Sequence, residues 1–576
     1  MFSKINLLLI IALFTVSNLL AQTGTIKGRV YNEINNESIP FANIVLDSTQ
    51  MGATSDENGR FEISNIQPGV YNLTCSFVGF KTAYLYEISV GSIGVTEIDI
   101  ALSEESALLD QVVLQTNRIE KSEESPLSKQ TIGATEIYRN PGANRDISKV
   151  VQVLPGVATT VSFRNDIIVR GGAPNENRFY LDGIEIPNIN HFATQGSSGG
   201  PVGMINVNFI RDVDFYSGAF PANRGNTMSS VMEFQQVTGN REKLGGTFML
   251  GSSDIGLTLN GPTGKNSSFI LSARRSYLQF LFQALKLPFL PTYNDFQYKH
   301  FFELGEKNQL TIVGLGAIDN FELNEDVNEG ETDQETIDRN DYILGNLPVN
   351  NQWNYTIGAN WKHFSKNSFQ NVVISHNQLN NSAIKYQDNI EIDDNLLYDY
   401  NSEEIENKLR VESTKRMNGW NWNIGAGFEH VKYTNSTFNK KVINDEVTTI
   451  DFDSEFNMQK YSLFTHVSKS ILNERLSLSL GIRTDANSYS DEMSNFIDQL
   501  SPRFSASYQF TEKFAASFNV GRYYQLPAYT VMGYRDNDGN LVNKENEITY
   551  IQSDHLVGGI QYNPTKYSKI TLGYIN

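Results

Sequence analysis

Leu476-Ser477-Leu478-Ser479-Leu480-Gly481-Ile482-Arg483 is the stretch on which the fold turns. Side chains of an extended chain point alternately to opposite faces. Here Leu476, Leu478, Leu480 and Ile482 take one face, and Ser477, Ser479, Gly481 and Arg483 the other. The pattern recurs downstream. Phe504, Ala506, Tyr508 and Phe510 alternate with Ser505, Ser507 and Gln509, and Phe514, Ala516, Phe518 and Val520 follow a Thr511-Glu512-Lys513 turn. One apolar and one polar face, in segments near the ~9–11 residues needed to cross, mark strands of an outer-membrane barrel.

From Leu244 onward this period dominates and yields about fifteen strand candidates, the last at Ser568 to Ile575. Gly305 to Asn308, Ser365 to Asn367, Leu472 to Glu474 and Asn563 to Lys566 read as short turns. Asp319 to Asn351, Asn381 to Glu403, Thr434 to Asn457 and Tyr524 to Tyr550 read as long polar loops. Short turns on one side and long loops on the other belong to this barrel class. Asp319 to Asp341 holds ten carboxylates and one arginine, Arg339, and reads as a solvated anionic loop.

The remaining composition is compatible with that reading. Charged residues are 19% and mean hydropathy is -0.34, values in which alternating strands hide from averages. Aromatics reach 11%, enough for interfacial girdles. A net charge of -19 argues against nucleic-acid binding, which needs cations against phosphates. One cysteine, Cys75, excludes an intramolecular disulfide and reads as a small buried strand residue.

The N-terminus reads as an export signal over residues 1–21: Lys4, the apolar Leu7 to Phe14, and Ala21 before the cut. Residues 22–103 read as a β-domain. Gly24 to Tyr31, Phe41 to Leu46, Arg60 to Ile63 and Val70 to Val78 are strand candidates, punctuated by Asp56-Glu57-Asn58-Gly59 and Gln67-Pro68-Gly69. About seven strands are expected. The run Gly28-Arg29-Val30, Ile39 to Asn43, Thr54 to Phe61 and Pro68 to Tyr71 resembles the carboxypeptidase-regulatory-like domain, which implies a transthyretin-like sandwich without peptidase machinery.

Residues 104–130 form a Ser-, Glu- and Lys-rich linker with one apolar island, Asp110-Gln111-Val112-Val113-Leu114-Gln115. An extended segment of this kind suits strand addition to a partner, and equally suits a last strand of the sandwich. Residues 131–240 then carry an ordered set of motifs. Asp146 to Val157 reads as an amphipathic helix ended by Pro155-Gly156. Ile167 to Gly172, Phe179 to Pro187, Ile205 to Tyr216 and Ser217 to Gly225 follow. This set resembles the plug of TonB-dependent receptors. Gly171, Gly183 and Gly225 allow positive φ or close backbone approach. Arg170 and Arg224 are expected to pair with wall carboxylates or within the plug, and Asp182 opens the turn at Gly183.

The resemblance implies a mainly β protein: sandwich, α+β plug, and a partial transmembrane antiparallel β-barrel over 241–576, about 15 of an expected 22 strands. An odd count and a chain that stops within a strand pattern lead to the expectation of further strands beyond Asn576. The resemblance also implies that Asp110 to Gln115 is the TonB box grasped by a TonB-type periplasmic coupling protein. Outer-membrane lipids surround the barrel, and the ligand is a small molecule, chelate, glycan or peptide, with a surface lipoprotein as a further partner. The loop Pro187 to Pro201, with His191 and Phe192, is the candidate ligand-facing part of the plug.

The seven histidines form no H-E-x-x-H or other close metal spacing, no Ser stands in a G-x-S-x-G frame, and Leu259 replaces the first glycine of a phosphate loop at Gly264-Lys265. Neither catalysis, a metal nor a cofactor is expected. The competing expectation is a non-transporting outer-membrane surface receptor or adhesin on the same scaffold. Signal relay to an anti-sigma factor is disfavoured, because residues 23–103 read as all-β and transducing receptors carry a mixed α/β domain there.

Overall fold

The computed structural model describes residues 23–92, 95–104, 129–142, 146–159, 164–196, 199–251, 253–443, 446–536, 538–565 and 568–575. The chain divides into two compact units, Met1–Val112 and Val113–Asn576. The export signal and the Asp110–Gln115 island lie outside the described residues.

Among the described residues the first unit is a sandwich of eight strands, against the expected seven or so. They are β1 (Gly24–Asn32), β2 (Asn43–Leu46), β3 (Gly52–Thr54), β4 (Arg60–Ile66), β5 (Gly69–Ser76), β6 (Ala83–Val90), β7 (Val95–Glu97) and β8 (Ile100–Leu102). One sheet runs β4-β1-β7 with β8 also on β1, the other β3-β2-β5-β6. Alternate residues of both sheets, Ile26, Val30, Ile44, Leu46, Ile63 and Leu73 among them, form the core. At the turn before β4, Asp56 Oδ1 accepts the N–H groups of Asn58 (2.9 Å) and Arg60 (2.8 Å), so this carboxylate closes a hairpin. Cys75 is fully buried, and burial pushes its thiol up to about 12. Thiol reagents are therefore expected to leave the native protein unlabelled at pH 7, and rapid labelling before unfolding would overturn that placement.

The plug begins at β9 (Lys129–Gly133) and a helix, Ala134–Arg139. A second helix spans only Ile147–Val151, shorter than the Asp146–Val157 reading. Asp146 caps it by accepting from Ser148 N (2.9 Å). Pro155 has no N–H to continue it and disfavours α geometry at Leu154, while Gly156 sits at φ 82°. The short pairs β10 (Val157–Ala158) with β11 (Ile168–Val169) and β14 (Asn190–His191) with β15 (Val202–Gly203) flank the main elements, β12 (Asn177–Leu181), β13 (Ile184–Ile186), β16 (Ile210–Tyr216) and β17 (Ser230–Gln236). These form a five-stranded sheet, β13-β12-β17-β16-β9. Its β12–β13 hairpin turns on Asp182 (φ 48°) and Gly183 (φ 83°), the pair of positive angles a two-residue type I′ turn demands.

The wall is one antiparallel meander of fifteen strands, as the alternation indicated: β18 (Gly245–Leu250), β19 (Asp254–Gly264), β20 (Ser267–Ser276), β21 (Phe289–Glu303), β22 (Asn308–Leu323), β23 (Val349–Ser365), β24 (Ser368–Tyr386), β25 (Leu396–Met417), β26 (Trp420–Ile443), β27 (Glu446–Ile471), β28 (Leu476–Asn487), β29 (Ser501–Thr511), β30 (Phe514–Gln525), β31 (Ile551–Thr565) and β32 (Ser568–Ile575). On β28, Leu480 and Ile482 face outward and exposed, whereas Ser479 and Arg483 are buried toward the plug. That is the inverse of a soluble sandwich and the expected state of a lipid-facing surface. Exposed Trp361, Trp420, Trp422, Phe510, Phe514 and Tyr562 cluster near the short-turn ends.

Two of the long polar stretches are corrected. Thr434 to Asn457 is strand up to Ile443 and again from Glu446, which pairs with Ile443, and Asn381 to Glu403 is strand except for 387–395. Strands β25, β26 and β27 reach 22, 24 and 26 residues, well past a membrane span of ~9–11. Polar side chains over the added length had read as loop because strand outside lipid has no apolar face to show. Within the acidic stretch, Asp333 caps a helix over Gln334–Asn346, and Asp319 is a buried residue of β22.

Candidate functional site

The plug is fastened to the wall by a buried ionic clamp. The ring of His191 lies between two wall carboxylates, Nδ1 at 2.6 Å from Asp319 and Nε2 at 3.0 Å from Asp295, and stacks on Tyr293 at 4.2 Å. Asp319 also accepts from Phe192 N (2.7 Å), which fixes Phe192 at φ 55°. Arg274 holds Asp295 and donates to Gly203 O (2.9 Å). Burial pulls the His191 pKa down, but Asp319 and Asp295 together outweigh it and raise it to about 9.

Above the plug sheet lies a cavity of about 120 Å3, lined by plug residues Arg178, Glu185, Asn188 and Gln195, by Gln352, Glu404 and Glu406 of the wall, and by Gln525 to Tyr529. Gln195 is the joint between plug and wall. Its Oε1 accepts from Tyr400 and Ser402 hydroxyls (2.6 Å each) and its Nε2 donates to Glu404 (2.7 Å). The connection after β30 folds inward as a cover: Gln525 donates to Asn175 O (2.7 Å), Leu526 N to Asn226 (2.8 Å), and the Tyr529 hydroxyl to Glu406 (2.6 Å). Tyr433, Phe456, Tyr489, Tyr529 and Tyr550 pack with Met458, Met493 and Met532 over it. Buried Asn188, Gln352 and Gln525 each keep one amide atom without a hydrogen-bond partner among the described residues. Buried polar atoms normally find partners, so this cavity is built for a polar guest or water. Space of this size holds on the order of ten waters.

The sequence-derived residues fall into distinct places. Arg170 (φ 55°) and Gly171 (φ 81°) form a turn, with Arg170 donating to Ser217 (3.1 Å) and meeting no carboxylate among the described residues. Arg224 pairs inside the plug with Glu233 (2.6 Å) and lies 4.6 Å over the Tyr180 ring, which decides against a wall partner in contact. Asp182 accepts from Gln236 N (3.0 Å) and meets Lys299 of the wall at 3.1 Å. A Cβ on Gly225 would stand 2.0 Å from Arg483 Nε, so this glycine is there for close approach. His191 is fully buried with both ring nitrogens taken by wall carboxylates, and Phe192 is half-buried, whereas Asn188, Thr194, Gln195 and Gly196 of the same loop line the cavity. Glu404, Glu406, Lys408 and Arg410 were missed. Their signal was present as a period-2 ladder of charge, Glu404-x-Glu406-x-Lys408-x-Arg410-x-Glu412, which is how a strand presents charge to a lumen.

Comparison with known proteins agrees with this architecture. Residues 26–114 match the CarboxypepD_reg-like domain, 121–230 the TonB-dependent receptor plug domain, and 194–572 the TonB-dependent receptor-like β-barrel. A plug enclosed by a meander of outward-apolar strands defines the class, a plugged outer-membrane barrel. The chain belongs to the TonB-dependent receptor family, whose members are receptors and transporters of the Gram-negative outer membrane.

Over 198 residues it is 26% identical to the TonB-dependent receptor SusC of Bacteroides thetaiotaomicron, a match spanning 32% of this chain and only 18% of that one. The fold is similar to that of a mutant ferric enterobactin receptor, PfeA, of Pseudomonas aeruginosa (TM-score 0.59, 16% identity, 79% of this chain and 71% of that chain). The siderophore receptor PirA of Acinetobacter baumannii is also similar (TM-score 0.57, 14% identity, 79% and 71%).

Proposed function

We propose that the protein imports a scarce ligand across the outer membrane by energy-coupled rearrangement of its plug. The observation that carries this reading is the polar cavity between plug and wall, bounded on one side by the inward-folded Gln525 to Tyr529. Long connections face outward and short turns the periplasm in this barrel class, so ligand arrives on the covered side and the sandwich lies in the periplasm. Little potential exists across the outer membrane, whereas one charge crossing 100 mV at the inner membrane releases ~2.3 kcal/mol. A TonB-type coupling protein grasping Asp110–Gln115 would deliver that energy mechanically.

The test is deletion of residues 110–115 after a binding screen of iron chelates, cobalamin, glycans and peptides against the full-length protein. Binding is expected to persist and uptake of the bound ligand to fall to background. Unchanged uptake would overturn energy coupling through this segment and favour a surface receptor or adhesin.

A further inference from the structure

The plug meets its wall in two physically different ways. Along β19 to β24 the contact is apolar and clamped: Val313, Leu315 and Ala317 of β22 and Val373 of β24 belong to the plug's own core. The His191 clamp and Asn206, which donates to Ser272 (2.7 Å), lie on the same side. Along β29 and β30, Arg503 donates to three plug carbonyls and Phe220 packs on Tyr523 at 4.6 Å. Between these anchors stand β25 to β28. Among the described residues none of their side chains joins an apolar cluster that contains plug residues. Their bonds to the plug are polar: Lys408 to Glu185 (2.9 Å), Arg410 to Gly183 O (2.8 Å), Asn223 to Glu412 (3.3 Å) and Arg483 to Ala222 O (3.4 Å), together with the Gln195 bonds to Tyr400, Ser402 and Glu404.

Empty space lies beside this face without being confined to it. A second cavity, about 60 Å3, opens against β25 to β28 and shares Glu185 and Asn226 with the first. The first cavity also touches Gln352 of β23, Leu379 of β24 and Gln525 of β30, and the second touches Val373 and Ser375 of β24. Along β25 the first cavity touches Glu404 and Glu406, and the second touches Lys408 and Arg410, one step nearer the short-turn end. The second is also lined by Ser462 and the side-chain-free Gly427. Polar contacts can be exchanged for contacts with water, whereas separating packed apolar surface exposes all of it. Parting the plug from β25–β28 therefore separates no packed apolar cluster, unlike parting it from either anchor.

Charge along this face is balanced. In the first cavity Glu185, Glu404 and Glu406 face Arg178. In the second, Lys408, Arg410, Lys460 and Arg483 face Glu185, Glu429 and Asp485. Over the whole route carboxylates and cations are equal in number. A solute of either net sign meets like charge in one half, and a neutral polar solute finds donors and acceptors throughout.

We propose that the two cavities are successive stations of the ligand's route, which opens between the plug and β25–β28, and that this route takes a polar ligand without net charge. The proposal rests on the import reading, and its test needs neither ligand nor coupling protein. Single cysteines at Ser462→Cys, on the route, and Ser272→Cys, on the anchored side, are placed in full-length protein with Cys75→Ala. Both changes are near-isosteric. Labelling by thiosulfonate reagents of matched size, neutral, cationic and anionic, is timed in native membranes at urea concentrations below global unfolding and normalised to unfolded protein.

Residue 462 is partly exposed and residue 272 fully buried, so the readout is the dependence on urea. Labelling at 462 should begin to accelerate at a lower urea concentration than at 272, because local openings of unequal cost differ in population. The neutral reagent should be the fastest at 462. Acceleration at the two sites at the same urea concentration, or first at 272, would overturn the route. A charged reagent outpacing the neutral one at 462 would overturn the ligand class. Failure here leaves energy coupling untouched, since that stands or falls on deletion of residues 110–115.

Discussion

Replacing His191 with leucine is expected to weaken plug docking by about 3–5 kcal/mol, the range seen when one partner of a buried ionic pair is removed. The leucine fills similar space against Tyr293 but leaves Asp295 and Asp319 facing each other in an enclosed site. Arg274 pairs with Asp295 and Asp254, so among the described residues Asp319 keeps the Phe192 N–H and no cation. The same clamp makes docking pH-dependent, with a definite sign. The folded pKa of His191, about 9, lies above its ordinary 6.5, so bound protonated imidazole stabilises the docked state. That contribution is complete below about pH 6.5 and lost as pH rises through about 9. The difference corresponds to about 3 kcal/mol. Amide hydrogen exchange over residues 188–206 of the full-length protein reads both effects. Exchange should accelerate strongly in the leucine variant and, in the unmodified protein, between pH 7 and pH 10 after correction for intrinsic rates. An unchanged pH response in the unmodified protein would show that His191 does not carry the clamp.

That clamp also marks the limit of what the amino-acid order reveals. Fifteen wall strands were legible because lipid forces strict alternation, and Leu476 to Arg483 states it outright. The turn at Asp182-Gly183 was legible because only a few residue types accept two successive positive φ angles. Contacts between plug and wall were not. His191 meets Asp319 across 128 positions, and nothing local distinguishes Asp319 from the nine other carboxylates of its acidic stretch. Arg224 was ambiguous for a related reason: a lumen and a plug sheet both offer carboxylates, and only register puts Glu233 at 2.6 Å. Strands β25 to β27 outrun the membrane, so their outer thirds lose the apolar face by which such strands are recognised. The charge ladder on β25 survives that loss, because its period is set by the backbone.

The second large effect is expected at Arg503. Its Nη1 donates to Phe220 O (3.0 Å), Pro221 O (2.6 Å) and Arg224 O (2.8 Å), and its guanidinium lies 4.6 Å over Tyr523 and 5.1 Å over Phe220. The segment it holds includes Ala219 and Asn226, both at positive φ, so the backbone there is kept in place by its surroundings. Arg503→Ala strands three buried carbonyls and opens a void under Phe220. At about 1–3 kcal/mol for each buried group left unpaired, with water recovering part, a cost on the order of 3–5 kcal/mol is expected. Arg503→Lys restores the charge but not the flat guanidinium, and should recover less than half. Exchange protection over residues 217–226 should fall in both variants while that over 188–206 stays near its original value, because the His191 clamp stands on β21 and β22, remote from β29 in the strand order. Loss of protection in both segments together would mean that the plug docks as one rigid piece, and the two anchors would then have no separate existence.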